Sequence, residues 1–294
     1  MSTLDTFKQY LAYMLEIQDK EKPDFVLIAG DLFHDHATIR SEVMNQWLKY
    51  LNETKVHHIL MKGNHDESSP GSKIHALEAF EALSQHKVVG NESYLLPDIG
   101  KFSFVAIPYI HDVKDFIKEV DRVKKVLSIG CIDIENTILF IHQTIDGVNY
   151  DKGMYAPDGF PAEIVSGFRC VVSGHIHKEQ RFGNIWYPGT PYALGFVDSN
   201  EHKSLWMIDA DTLDAQRIPT PMPQYFTASM EAGDLIRYFD DRNDRENRRH
   251  HYKITLRDSK VAIRALKDSK EFKKIRKLFK VVLCTEYVDA VRAD

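Results

Sequence analysis

Four apolar runs in this chain each stop at a residue that can donate to a metal, and that pattern restricts the fold more than any other feature. Phe25-Val26-Leu27-Ile28-Ala29 runs into Gly30-Asp31, and Ile59-Leu60-Met61 precedes Gly63-Asn64-His65-Asp66. Thr137-Ile138-Leu139-Phe140-Ile141 runs into His142, and Cys170-Val171-Val172-Ser173 runs into Gly174-His175-Ile176-His177. Short continuous apolar runs mark strands buried on both faces. Open α/β sheets build their sites at the carboxyl ends of such strands. Any one of these endings is commonplace, since a lone buried histidine is usually a satisfied core residue. Four in succession, with glycines that let the backbone turn tightly, predict one shared metal site in an α/β domain.

The donor chemistry narrows the ion. Asp, Asn and His together suit Mn, Fe or Zn better than calcium, which prefers oxygen cages, or copper(I), which prefers sulfur. Asp31 is a carboxylate able to bridge two ions. His65 stands beside the ligand Asn64 and so is expected to face a substrate, stabilising charge or protonating a leaving oxygen, with Asp66 orienting its ring. His34 and His36, in the loop after Asp31, are possible ligands, although loop histidines more often face solvent.

The remaining pattern is that of a large domain followed by a small one. Residues 3–20 predict an amphipathic helix capped by Ser2 or Thr3, with Phe7, Leu11, Met14, Leu15 and Gln18 on one face. Helices are expected near 39–51, 74–83 and 113–127, and strands over 56–61 and 102–107. Residues 147–161 read as a long surface loop. Three short strands, 185–187, 204–208 and 213–218, have hairpin-like spacing and would complete a second sheet. Pro219, Pro221 and Pro223 break the pattern, which divides the chain into 1–220 and 221–294. The second part predicts a compact α+β unit: a helix over 232–239, a strand over 252–256, a helix over 259–279 and a strand over 281–284. A helix feeding a parallel strand is the second half of a βαβ unit, so the pattern implies a strand ahead of residue 3 and a sequence that starts one strand late.

Charge is unevenly distributed. The net charge is −5, yet residues 237–280 hold 16 Lys or Arg against 7 Asp or Glu, so that segment is +9 and the remainder −14. An acidic body with a basic end suggests a phosphate polymer as partner, with Arg248, Arg249 and Lys253 as candidate contacts. The three cysteines are far apart and form no metal or disulfide pattern. No apolar run nears the roughly 18 residues of a membrane span, and no signal-peptide pattern opens the chain. The expectation is a cytoplasmic protein.

Gly30-Asp31, Gly63-Asn64-His65-Asp66, His142 and Gly174-His175-Ile176-His177 resemble the calcineurin-like metallophosphoesterase signature. Gly30-Asp31-Leu32-Phe33-His34 and Tyr187-Pro188-Gly189-Thr190-Pro191 resemble the SbcD-type DNA repair nucleases within it. That resemblance covers about residues 4–210, and the remainder matches in layout the small capping domain of those nucleases. It implies a β-sandwich flanked by helices in four layers, with two ions, Mn2+ in the first place and Mg2+, Fe or Zn as alternatives. Asp31 would bridge them, Asn64, His142 and His175 would complete one shell, His177 would bind the other ion, and His65 would be the catalytic histidine. It also implies DNA cleavage, a homodimer and an SbcC-type coiled-coil ATPase partner. One motif departs from the pattern: no Asp in the chain is followed two positions later by His, although the family's first strand ends in Asp-x-His. A start placed too late accounts for the gap better than a strand supplied by a partner or a lost ion site. Low or absent activity of this chain by itself is the expectation. The rival readings are a phosphomonoesterase or small-molecule phosphodiesterase of the same fold, and a non-catalytic subunit that docks DNA and the ATPase.

Overall fold

The computed structural model describes residues 3–36, 38–96, 99–151, 154–155 and 159–288. Ser2, one of the two expected helix caps, lies outside them. Two compact units emerge: Met1–Thr190 with Ser204–Thr220, and Pro191–Lys203 with Pro221–Asp294. The excursion 191–203 goes with the second unit because Phe196 packs edge-on against Tyr225 and Asn200 donates to Thr227.

In the first unit the order is α1 (Thr3–Glu21), β1 (Phe25–Ile28), α2 (Ser41–Glu53), β2 (His57–Met61), β3 (Lys87–Val89), β4 (Tyr94–Leu95), β5 (Ser103–Ala106), α3 (Val113–Ile129) and β6 (Thr137–Ile141). Then come a short hairpin of β7 (Asn149–Asp151) and β8 (Met154–Tyr155), β9 (Cys170–Ser173), β10 (Gln180–Phe182), β11 (Ile185–Tyr187), β12 (Ser204–Ile208) and β13 (Ala215–Pro219). Strands β1, β2 and β3 form one parallel sheet. A six-stranded sheet runs β10-β11-β9-β6-β5-β4, parallel through β11, β9, β6 and β5 and antiparallel at both edges.

The side-chain alternation of strands explains how these sheets stack. Phe104, Ala106, Ile138 and Phe140 point one way and share a buried cluster with Ile59, Met61 and Val89 of the three-stranded sheet. Their neighbours Val105, Leu139 and Ile141 point the other way, onto Phe116, Val120, Val123 and Leu127 of α3. On the outer face of the small sheet, α1 and α2 meet through Phe7 and Trp47, and Tyr50 of α2 reaches His58 of β2. The layers are therefore helices, sheet, sheet, helix.

Several expectations change. Residues 74–83 make only a 3-10 turn, Ala76–Phe80. Of the three strands expected to complete a second sheet, β11 instead joins the large one, parallel to β9, while β12 and β13 pair with each other. Part of 147–161 forms the β7–β8 hairpin. In the second unit, β14 (Tyr225–Met230), α4 (Leu235–Asp240), β15 (His251–Asp258), α5 (Lys260–Asp268), α6 (Lys270–Leu278) and β16 (Lys280–Tyr287) build a three-stranded parallel sheet, β14-β15-β16. The single helix expected over 259–279 is two, because Ser269 takes extended backbone angles and its hydroxyl caps the second helix at the Phe272 N–H.

A buried polar relay joins α1, α2 and β2. Thr54 Oγ1 donates to Gln18, Gln18 Nε2 donates to Tyr50, and the Tyr50 hydroxyl meets His58 Nε2 at 2.7 Å. With Nδ1–H of His58 donating to the Val56 carbonyl at 2.9 Å, Nε2 is the acceptor and the ring is neutral. Burial holds His58 down to about 4. A histidine kept neutral in the fold but free to protonate when unfolded stabilises the fold fully above about pH 6.5, and that contribution is lost as pH falls towards 4. Between pH 7 and 4.5, denaturant titrations should show the protein losing about 2–3 kcal/mol more stability than its His58→Gln variant. Equal slopes would remove His58 from the acid response.

Candidate metal centre

All four predicted strand endings lie at one edge of the sandwich, two from each sheet. Asp31 follows β1, Asn64 follows β2, His142 follows β6 and His175 follows β9. Asp31, His142 and His175 bring one ligand atom each within 4.8 Å of one another. Asn64 joins them: its Oδ1 lies 3.2 Å from His142 Nε2, and Asp31 Oδ2 lies 3.2 Å from the same nitrogen. His177 is not in this group, though its charge acts on His175.

The backbone makes the convergence feasible. Gly30 has φ +100°, and a Cβ there would overlap His142 Nδ1. Asp31 itself has φ +56°, a left-handed conformation that costs a non-glycine residue roughly 1 kcal/mol. It is held there from two sides. Its Oδ1 accepts from the His65 N–H at 2.9 Å, and its own N–H donates to Asp66 Oδ2 at 2.9 Å.

Asp66 has a different task from the one the sequence suggests. Its carboxylate is fully buried and accepts from the N–H groups of Asp31, Phe33 and Gly63 at 2.9, 3.1 and 2.8 Å. It clamps two loops together, whereas the His65 ring is oriented by the His34 carbonyl, which Nδ1–H meets at 2.6 Å.

Residues 3–179 match the calcineurin-like phosphoesterase family. The chain belongs to that family. The chain is 24% identical over 264 residues to 078R of Invertebrate iridescent virus 3, named as a phosphoesterase, which covers 84% of the chain and 70% of the viral protein. It is 24% identical over 238 residues to a component of the SbcCD nuclease of Staphylococcus epidermidis, covering 71% of the chain and 61% of that relative. Against the DNA double-strand break repair protein Mre11 of Methanocaldococcus jannaschii it is 28% identical over 223 residues, covering 70% of the chain and 55% of the archaeal protein. The chain thus spans less than two thirds of the length of the Staphylococcus and Methanocaldococcus relatives. Among the described residues no helix is long and apolar enough to cross a membrane.

The donors fit a divalent ion. His142 donates Nδ1–H to the Ala29 carbonyl at 2.6 Å, so Nε2 is the atom aimed at two oxygens. A proton on Nε2 can satisfy those oxygens in the absence of an ion, and a divalent cation would take its place among the same three atoms. Burial opposes charge at Asp31, but His142 and the His65 N–H hold its carboxyl at about 2. His142 is likewise opposed by burial and held above its ordinary value by Asp31. Burial and the neighbouring His142 keep the His175 imidazole neutral, down at about 3, and the neutral ring is the form with a lone pair to give. Burial pushes Asp66 up to about 7 against its N–H donors.

The sequence reading missed Tyr109 and the contacts made by His34 and His36. His34 and His36 are not idle loop residues: both stack on the His65 ring, with centroids 5.6 and 5.1 Å away. Tyr109 lies over the ligands, 6.3 Å from His142 and 6.4 Å from His175. Its signal was present, since the strand stopping at Pro108 is a fifth ending at the same edge. Arg248, Arg249 and Lys253 belong to the second unit.

Calorimetric titration with Mn2+ should find one site of highest affinity. Because even outer-shell groups are worth 10–100-fold in metal affinity, Asn64→Ala or His142→Ala should weaken that site at least about tenfold, while His177→Ala changes it by less than about threefold. A chain in which all three variants bind like the parent does not use this centre.

Proposed function

We propose that the protein is a metal-dependent phosphodiesterase that cuts DNA. The reading is carried by one observation: four donors from four strand ends meet beneath an exposed edge, with the His65 imidazole at the rim. The names of two relatives, an SbcCD nuclease component and an Mre11 repair protein, support DNA as the polymer. Asp31, Asn64, His142 and His175 would hold the first ion, and Asp31 with His177 would contribute to a second. Two imidazoles among the donors favour Mn2+, Fe or Zn over Mg2+, which prefers oxygen. When bound, a divalent ion of this kind polarises the phosphoryl group and makes water a stronger nucleophile.

The residues supply the rest. His65 keeps Nδ1 protonated on the His34 carbonyl and so turns Nε2 towards the rim. As an imidazolium, His65 would pass its Nε2 proton to the leaving deoxyribose oxygen as the bond from that oxygen to phosphorus breaks, leaving the neutral ring held by Nδ1–H on His34. Stacking by His34 and His36 restricts the ring to that orientation. Asp66 keeps Asp31 and Asn64 in register without touching the substrate. In this reading Arg248, Arg249 and Lys253 are candidate DNA contacts, and an SbcC-type ATPase and a second copy of the chain are the partners.

A second reading, a phosphomonoesterase or small-molecule phosphodiesterase, draws on the viral relative named only as a phosphoesterase. Single-turnover assays with excess protein in Mn2+ separate the readings. End-labelled linear DNA should be shortened, and His65→Ala should slow this by about 10²–10³-fold with Mn2+ affinity unchanged. Rapid hydrolysis of p-nitrophenyl phosphate with intact DNA would favour the second reading. DNA binding without any turnover would leave only a docking role.

A further inference from the structure

Tyr187, the last residue of β11, is fully buried and shares an apolar cluster with Ile141 of β6, Ile145, Val171 of β9 and Val120 of α3. Phenylalanine would fill that volume without a hydroxyl, and a buried hydroxyl is costly unless it is hydrogen-bonded. The tyrosine therefore answers a polar demand inside the cluster.

That demand arises where β6 leaves its ladder. Strands β6 and β9 stay paired as far as Ile141 opposite Ser173, and the Gly174 N–H closes on the Ile141 carbonyl at 3.2 Å. His142 follows, turned towards the metal centre. The N–H and C=O of Gln143 then lie beyond the last ladder pair in a buried residue, where backbone groups need other partners. Side chains supply them. Ser173 Oγ accepts from the Gln143 N–H at 3.0 Å and donates to the Gln143 carbonyl at 2.8 Å. The Tyr187 hydroxyl donates to the same carbonyl at 3.0 Å and accepts from the Ile145 N–H at 2.8 Å. Gln143 in turn donates Nε2–H to the Ile110 carbonyl at 2.8 Å.

Each anchor sits beside a residue of the centre. Gln143 follows His142, Ser173 stands two positions before His175, and Ile110 follows Tyr109. The network thus ties together the endings of β5, β6, β9 and β11. Tyr187 is itself held from behind. Gly189 has φ +75°, and a Cβ there would crowd the His177 carbonyl, which accepts from the Thr190 N–H at 3.1 Å. Trp206 Nε1 donates to the Pro188 carbonyl at 3.1 Å. In the small sheet a buried carboxylate, Asp66, gathers the strand endings. Here neutral hydroxyls do the same task inside an apolar cluster, where a charge would be costlier.

We propose that Tyr187 and Ser173 are positioning residues of the metal centre, acting through the backbone of Gln143 to aim His142 and to fix its spacing from His175. The inference rests on reading that centre as a divalent-ion site. Ligand atoms must hold their distances to within about 0.2 Å. A peptide group that moves beside His142 carries the imidazole with it, so two hydroxyls that touch no ion still set where Nε2 lies. The same contacts give the tyrosine of the Tyr187-Pro188-Gly189-Thr190-Pro191 segment a task that phenylalanine cannot perform.

The test is calorimetric titration of the full chain with Mn2+, comparing the parent with Tyr187→Phe and Ser173→Ala. Each variant removes one hydroxyl and little volume, and either one that folds by circular dichroism decides the matter. Both should weaken the tightest site by about tenfold, the low end of the range for outer-shell partners. Val120→Ala, in the same apolar cluster but on α3, should unfold at a lower temperature yet keep Mn2+ affinity within about twofold. Bound Co2+ gives a second readout, because its visible spectrum follows ligand geometry. That spectrum should change in the two hydroxyl variants and not in Val120→Ala. Parent-like affinity and spectrum in both hydroxyl variants, with binding lost in His142→Ala, would overturn the positioning role and leave the metal centre standing. An equal loss in Val120→Ala would overturn it too, as an effect of stability. Binding that survives His142→Ala would overturn the centre and this inference together. No nucleic acid is present, so a failure of the nuclease reading alone leaves these outcomes unchanged.

Discussion

Everything at the metal centre depends on one carboxylate that touches no substrate. Asp66 is sealed from solvent and accepts three backbone N–H groups, from Asp31, Phe33 and Gly63. A buried carboxylate is costly unless hydrogen-bonded, so the loops are obliged to bring their N–H groups to it. In doing so they set Asp31 into its left-handed conformation and place Asn64 one residue from the clamp. The Gly63 site is part of the same constraint, since a Cβ there would overlap the Asp31 carboxylate and backbone. Two separate strand endings thereby act as one rigid piece.

The second constraint crosses between the sheets. His142 leaves the large sheet, yet its Nδ1–H is fixed by the carbonyl of Ala29 at the end of β1 in the small one. That bond decides which ring nitrogen would face an ion, a role usually filled by an outer-shell acceptor. The sandwich core beneath, where Phe104 stacks against Phe140 and meets Phe25 edge-on, fixes the sheets at the spacing the bond requires. Metal geometry here follows from apolar packing.

Electrostatics divides the molecule along its two units. Strand ends of the first unit collect donors whose charges answer one another, and three of its exposed helix cations, Lys49, Lys118 and Arg122, have acidic partners at helical spacing. The second unit places its cations on two helices with few acids near them. The charge imbalance visible in the linear sequence, +9 over residues 237–280, is thus concentrated on surface in the second unit rather than on the Arg248–Arg249 loop.

The converging donors were legible because strand, glycine and donor are adjacent in sequence, and adjacency is what a parallel strand end needs. Asp31, Asn64, His142 and His175 could be named for that reason, as could α1 and α3 from their helical periods. Roles carried by long-range contacts were not legible. Asp66 reads as a partner of His65, its neighbour, but its carboxylate meets N–H groups some 35 residues away in the chain. His34 and His36 read as loop residues until folding stacks them on His65. The break at Ser269 was hidden because serine suits either a helix interior or a cap, and only packing of Phe272 and Ile275 chooses. Sequence alone determined which atoms could bind a metal and that they would share one edge, since apolar runs must be buried and their polar endings cannot be. Tertiary structure decided which of those atoms meet, which carboxylate is a clamp and which cations stay unpaired, because each depends on distances between segments that the sequence order does not encode.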